Sequence, residues 1–210
     1  MALTDEISPA PGTFDDAYHD VVAALTAIGE DPAALDRMAF AVTLADTESA
    51  WVQETAYQLL RLGVPARLLR REATVGTHLR ADLAIGATAI EFKSSYVSNI
   101  LHNGIVATRK WLRPDIDKIL ASAQSGIYVV TVPQLVDIDH QKYSFTHRAT
   151  ATMTPEEIRI AGLDAYRQFL HNETAIAPTH VEIGCTAGPD GHGSVRLDAY
   201  IVPLRWTTTM

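Results

Sequence analysis

Two carboxylates and an ammonium group fall within twelve residues of one apolar stretch, Arg80-Ala-Asp82-Leu-Ala-Ile-Gly86-Ala-Thr-Ala-Ile-Glu91-Phe-Lys93. Side chains alternate along a strand, so Glu91 and Lys93 project from one face while Ile90 and Phe92 enter the other. Charges on so apolar a strand are costly without a task or partners. Asp82 has the opposite parity to Leu83 and Ile85, and the turn Gly86-Ala87-Thr88 is short enough to make the two runs hairpin neighbours. Asp82 and Glu91 then approach on a common face.

Such a pair suits a hard cation. Mg²⁺ prefers carboxylate, carbonyl and water oxygens and takes only one or two protein carboxylates. Asp82 and Glu91 are the expected ligands, with the Phe92 carbonyl a further oxygen. A metal there would polarise a scissile phosphate and acidify a bound water. Lys93 would orient or deprotonate that water and stabilise charge on a phosphorane-like transition state. The eight histidines form no HxxxH or HExxH pattern, and the lone Cys185 offers neither a disulfide nor a thiolate zinc site. No GxxxxGK[ST] or GxGxxG loop is present, and no GxSxG elbow surrounds Ser94 or Ser95.

Asp, eight residues, then Glu-Phe-Lys at the end of an apolar strand resembles the PD-(D/E)XK nuclease superfamily, the restriction-endonuclease-like fold. The resemblance covers roughly residues 44–132 and implies a Mg²⁺- or Mn²⁺-dependent nuclease, with Asp82, Glu91 and Lys93 on its signature positions. Ala81 stands where the superfamily's name has proline. Members often carry a further Glu on the preceding helix. Glu48 shares a face with Val52, Ala56, Leu59 and Gly63 and is expected to face the sheet; Glu54, with Gln58 and Arg61, is expected to face solvent. Gln124 and Tyr128 have the spacing of a Gln-xxx-Tyr pair known in exonuclease-like relatives, but Gly126 should break a helix between them, and the spacing is read as chance.

The formal charge of −8 is unevenly spread: residues 1–60 carry −10, residues 61–118 carry +5, and the remainder −3. A basic middle segment in an acidic chain is the pattern of a local phosphate-binding face, though solvated surface gives it too. Arg67, Arg70, Arg71, His78 and Arg80 lie on or beside the first strands. Arg80, Arg109, Lys110, Trp111, Arg113 and Lys118 are the expected nucleic-acid contacts, with cations for phosphate and Trp111 for stacking on a base. Lys118 has an alternative as a helix-surface partner of Asp115.

The elements that must position these groups are legible as pattern. Thr13 with Asp16 caps a helix from Phe14 to about Ile28 that Gly29 ends, and Asp31-Pro32 starts a second. Helical pattern continues, whole or broken near Asp46, to Gly63-Val64-Pro65. Three strands follow in ARLLRRE, RADLAIG and ATAIEFKSS. Residues 96–114 read as polar and irregular, and Pro114 opens a short helix that Gly126 ends. IYVVTVPQLV is a buried strand, TPEEIRIAGLDAYRQFLHN a capped helix, and HVEIGCTAG and SVRLDAYIVPLRW two closing strands. The fold class is therefore α/β: a central mixed sheet flanked by helices, an αβββαβ core, and an added C-terminal helix and β-hairpin. One nuclease-like domain is expected, with residues 1–43 a helical extension beginning in a loose arm (1–12), 44–132 the catalytic core and 133–210 an elaboration without a readable motif.

No apolar run approaches the roughly 20 residues that span a bilayer, and an acidic N-terminus with one cysteine suits the cytoplasm. The expected activity is phosphodiester hydrolysis, of DNA more than RNA, in restriction, repair or phage defence. The alternative is a catalytically silent module binding nucleic acid or protein. A third reading, an α/β protein without metal, requires Asp82 and Glu91 to lie apart. A double-strand cutter with one site per chain usually works as a homodimer, although no coiled coil or apolar stripe marks one here.

Overall fold

The computed structural model describes residues 12–44, 47–75, 79–121, 125–137, 152–189 and 191–205. The N-terminal arm, His78 and Gln124 lie outside them. Three helices come first: α1 (Phe14–Glu30), α2 (Pro32–Thr43) and α3 (Thr47–Arg61). Thr13 and Asp16 form a reciprocal capping box on α1, and the Asp31 carboxylate accepts the N–H groups of Ala33 and Ala34 at the start of α2. Each cap satisfies backbone donors that a helix leaves bare. The helical stretch is broken between α2 and α3, and Gly63 (φ 95°) takes the left-handed turn beyond α3.

Strands β1 (Leu69–Val75), β2 (Leu79–Ile85) and β3 (Thr88–Ser94) follow as an antiparallel meander. Helix α4 (Asn99–Ala121) crosses to β4 (Gly126–Val136), which lies parallel to β3. Helix α5 (Pro155–Thr174) and the hairpin of β5 (Thr179–Ala187) and β6 (Ser194–Leu204) complete the chain. One sheet results, in the order β1-β2-β3-β4-β6-β5. Its one face packs on α1, α2 and α3 through Leu83, Ile90, Phe92, Ile127 and Val129. The other packs on α4 and α5 through Tyr128, Val130, Val132, Tyr200 and Val202. Covered on both sides, β4 is apolar nearly throughout, as a central strand must be.

The αβββαβ order of α3, β1–β3, α4 and β4 agrees with the expected α/β architecture. Among the described residues no helix is long and apolar enough to cross a membrane. Two expectations are corrected. Residues 96–114 are not irregular, because most of them belong to α4, whose buried side chains Ile100, Thr108, Leu112, Ile116 and Ile119 recur at helical spacing. Gly104 (φ 73°, ψ 170°) kinks α4, and the run beyond it passes through Pro114 instead of starting there. The outward Arg, Lys and Trp side chains and the proline masked this seam.

Gly29 does not end α1, which runs on to Glu30. Its lack of a side chain serves packing: a Cβ there would lie 1.8 Å from the Ile183 carbonyl oxygen on β5. Helix propensity alone makes Gly29→Ala stabilising by about 1 kcal/mol. The close approach reverses the sign, and Gly29→Ala is expected to destabilise the protein by about 2–3 kcal/mol. The urea midpoint of the variant measures this; a midpoint raised above wild type would show that α1 and β5 separate freely.

Candidate active site

The pairing of β2 with β3 runs Ile85↔Thr88, Ala84↔Ala89 and Leu83↔Ile90. One step further brings Asp82 level with Glu91. There the ladder gives way to a side chain: the Phe92 N–H donates to Asp82 Oδ2 at 2.8 Å. The N–H and C=O of one strand residue point to the same side, so the Phe92 carbonyl faces the same opened edge. Phe92 itself is buried in the core beneath.

Glu91 faces α4 and is only 7% exposed. Lys118 Nζ donates to its Oε1 at 2.7 Å. Its other oxygen, Oε2, is buried with no hydrogen-bond partner. Burial pushes the Glu91 carboxyl up to about 7; the Lys118 hydrogen bond opposes this, and the negative charge of Asp82 reinforces it.

Lys93 Nζ lies 3.5 Å from Glu48 Oε1 and 3.6 Å from Asp115 Oδ2, and 5.5 Å from the ring centroid of Trp111. Glu48 also accepts the Ser94 N–H at 3.3 Å, so α3 does bring it to the end of β3. Four carboxylates, Asp82, Glu91, Glu48 and Asp115, therefore gather around two ammonium groups, Lys93 and Lys118. Their formal excess is two negative charges. Beneath them, Tyr128 on β4 is level with Glu91 and donates to the Leu112 carbonyl at 3.3 Å. Burial, with Asp115, Glu48 and Glu91 nearby, pushes its phenol well above the ordinary range.

Asp115 is the site residue that sequence reading missed. Trp111, Asp115 and Lys118 are spaced i, i+4, i+7 and share one face of α4; the Asp115–Lys118 spacing is visible in the sequence, but its alignment with Trp111 shows only once α4 is known to run through Pro114.

The other expected residues divide. Glu54 is not solvent-directed: it is buried, Arg37 of α2 donates to it through Nε at 3.1 Å and Nη2 at 3.0 Å, and Gln58 adds a third bond at 3.0 Å. Helix α2 covers the face that a lone α3 would show to water. Arg80 sits two residues from Asp82 on the same face of β2 and pairs with Glu72 at 2.7 Å, both well exposed. Such a surface pair holds it weakly. Lys110 and Trp111 are exposed. Arg109 and Arg113 turn away from Glu91 and clamp Glu173 of α5: Arg109 Nε reaches Oε1 at 2.7 Å and Arg113 Nη1 reaches Oε2 at 2.9 Å. Burial raises the Glu173 carboxyl, but these arginines outweigh it and hold it below the usual range.

Family models, curated proteins and solved structures were each compared with the chain, and none matches it. Among the described residues no group of three or more His, Cys, Asp or Glu side chains is arranged to hold a metal ion. Asp82, Glu91 and the Phe92 carbonyl are a smaller set of oxygen groups.

Two outcomes are expected. The double variant Arg109→Ala/Arg113→Ala strands the Glu173 side chain, 5% exposed, without its partners. It should lose about 2 kcal/mol of stability, discounted for the solvent that reaches both arginines. A denaturant melt unchanged from wild type would return these arginines to the free surface. Glu91 gives a pH signature in chelator. The unfolded carboxyl titrates near 4.5 and the folded one near 7, so the native state holds the extra proton between them. Stability from Glu91 is present below pH 4.5 and lost as pH rises toward 7. Glu91→Gln removes that loss, so its melting temperature relative to wild type should climb between pH 5 and 7.5. A constant difference would mean that Glu91 titrates normally.

Proposed function

We propose that this chain is a Mg²⁺- or Mn²⁺-dependent nuclease that hydrolyses phosphodiester bonds, with DNA the favoured substrate. The observation that carries the reading is the buried, partnerless Glu91 Oε2 within a cluster of excess negative charge. An orphaned carboxylate oxygen is costly in a folded core, and a divalent cation is the partner that answers both the missing contact and the two missing charges. The resemblance of the Asp82…Glu91-Phe-Lys93 pattern to the PD-(D/E)XK nucleases supports the same reading independently.

Asp82, Glu91 and the Phe92 carbonyl would hold the ion. Bound there, it supplies a Lewis acid and acidifies a water ligand. Lys93, held between Glu48 and Asp115, would stabilise the charge gained by a phosphate oxygen. In hydrolysis the water oxygen bonds to phosphorus, the ester oxygen leaves with its electron pair, and the water's protons end on the leaving oxygen and solvent. The exposed face of Trp111, with Lys110 and Arg80, would meet base and backbone. Arg109 and Arg113 are spent on Glu173 and are not included. This is a Mg²⁺ nuclease of the kind used in restriction, repair or phage defence.

Asp82→Ala and Lys93→Ala should each lower plasmid cleavage at least about a hundred-fold, since groups acting on one water and one phosphate fail together. Both variants should remain folded, and in chelator Asp82→Ala should melt close to wild type, because relief of carboxylate repulsion offsets the stranded Phe92 N–H. Excess chelator should stop the wild type. Thermal melts run beside cleavage assays test this; full cleavage in chelator, or folded variants that still cut, would remove the proposal.

A further inference from the structure

We infer that Lys118 is a place-holder cation: its ammonium neutralises Glu91 while no metal is bound and competes with a divalent ion for that carboxylate. The inference rests on the metal-site reading of Asp82 and Glu91 above and adds a device that sets the metal concentration at which the site fills.

The two lysines of the cluster are held differently. Lys93 is 19% exposed and lies between two carboxylates and an indole ring. Lys118 is 36% exposed, and its ion-pair partner among the described residues is Glu91 alone. It reaches Glu91 from α4, a different element from the strands that carry the acidic pair. A half-exposed ammonium on a four-carbon stem can leave a carboxylate for water at small cost. Its hydrogen bond occupies Oε1, while Oε2 is buried with no partner. One monovalent group thus covers half of a carboxylate in a cluster short of two positive charges.

A divalent ion on Glu91 with Lys118 still in place would set three positive charges within a few ångströms, a repulsion that water screens only in part. A metal at Oε2 therefore weakens the hold of Lys118 on Oε1, and Lys118 weakens metal binding in turn. A residue that merely shaped the site would behave otherwise, since its loss would loosen the carboxylates and weaken metal binding. The two roles predict opposite signs.

The probe is Mn²⁺ alone, titrated calorimetrically without nucleic acid at pH 8, where protons compete little for the carboxylates. Lys118→Met and Lys118→Gln should bind Mn²⁺ about five-fold tighter than wild type. Lys118→Arg, which keeps the charge and adds a second donor, should bind no tighter than wild type. Asp82→Ala should lose binding. Melts in chelator identify any variant that fails to fold, and the Met and Gln variants must agree in sign. If wild type binds Mn²⁺, Asp82→Ala does not, and folded Lys118→Met binds equally or more weakly, the metal site stands and the place-holder is overturned. If neither wild type nor Lys118→Met binds Mn²⁺, the metal reading fails and the place-holder with it.

Discussion

A carboxylate buried on a central strand costs several kcal/mol unless charges and hydrogen bonds compensate it, and Glu91 imposes that constraint here. Lys118 from α4 compensates one of its oxygens. Asp82, one strand over, opposes its ionisation. The end of the β2–β3 ladder follows from the same arrangement, because Asp82 takes the Phe92 N–H that a paired strand would have used. An edge opened in mid-sheet, lined by acidic groups and a carbonyl, is the product. Such a place is unfavourable for an empty core.

The position of α4 follows from what it must deliver. Its buried seam fixes it on the sheet through Leu112, Ile116 and Ile119. To one flank of that seam, Arg109 and Arg113 anchor it to Glu173 near the end of α5. To the other, Trp111, Asp115 and Lys118 stand over Lys93 and Glu91. The C-terminal elaboration thereby has a structural part in the site without contributing a side chain to it: α5 holds the helix that holds the charges. Gly162 makes a second close contact of this kind, since a Cβ there would lie 2.3 Å from the Val97 carbonyl oxygen just before α4.

The N-terminal helices serve the opposite face. They bury the apolar side of β3, including Ile90 and Phe92, so that the charged residues alternating with these have one direction left. Helix α2 also covers Glu54 and supplies its half-exposed partner Arg37, which makes Glu54 a second compensated carboxylate. Bidentate geometry and a third bond from Gln58 satisfy both oxygens of Glu54. Both oxygens of Glu54 are answered; one of Glu91 is not.

Local rules were enough for what depends on near neighbours. Strand parity put Asp82, Glu91 and Lys93 on a common face, the short turn at Gly86 set the two strands side by side, and the caps at Thr13, Asp31 and Thr154 marked helix starts correctly. Glu48 was legible too, since its helical face is the one that meets β3. What distant segments bring together was not. Glu54 reads as exposed until α2 covers it; Gly29 reads as a helix stop until β5 packs on it. Arg109 and Arg113 read as free cations until α5 presents Glu173. Lys118 reads as able to face the cleft; Asp115 joins it because the buried seam of α4 packs on the sheet and turns that face over Lys93. In each case a side chain's direction was written in its own element, but whether it met water, a partner or the core depended on which element the tertiary fold laid against it.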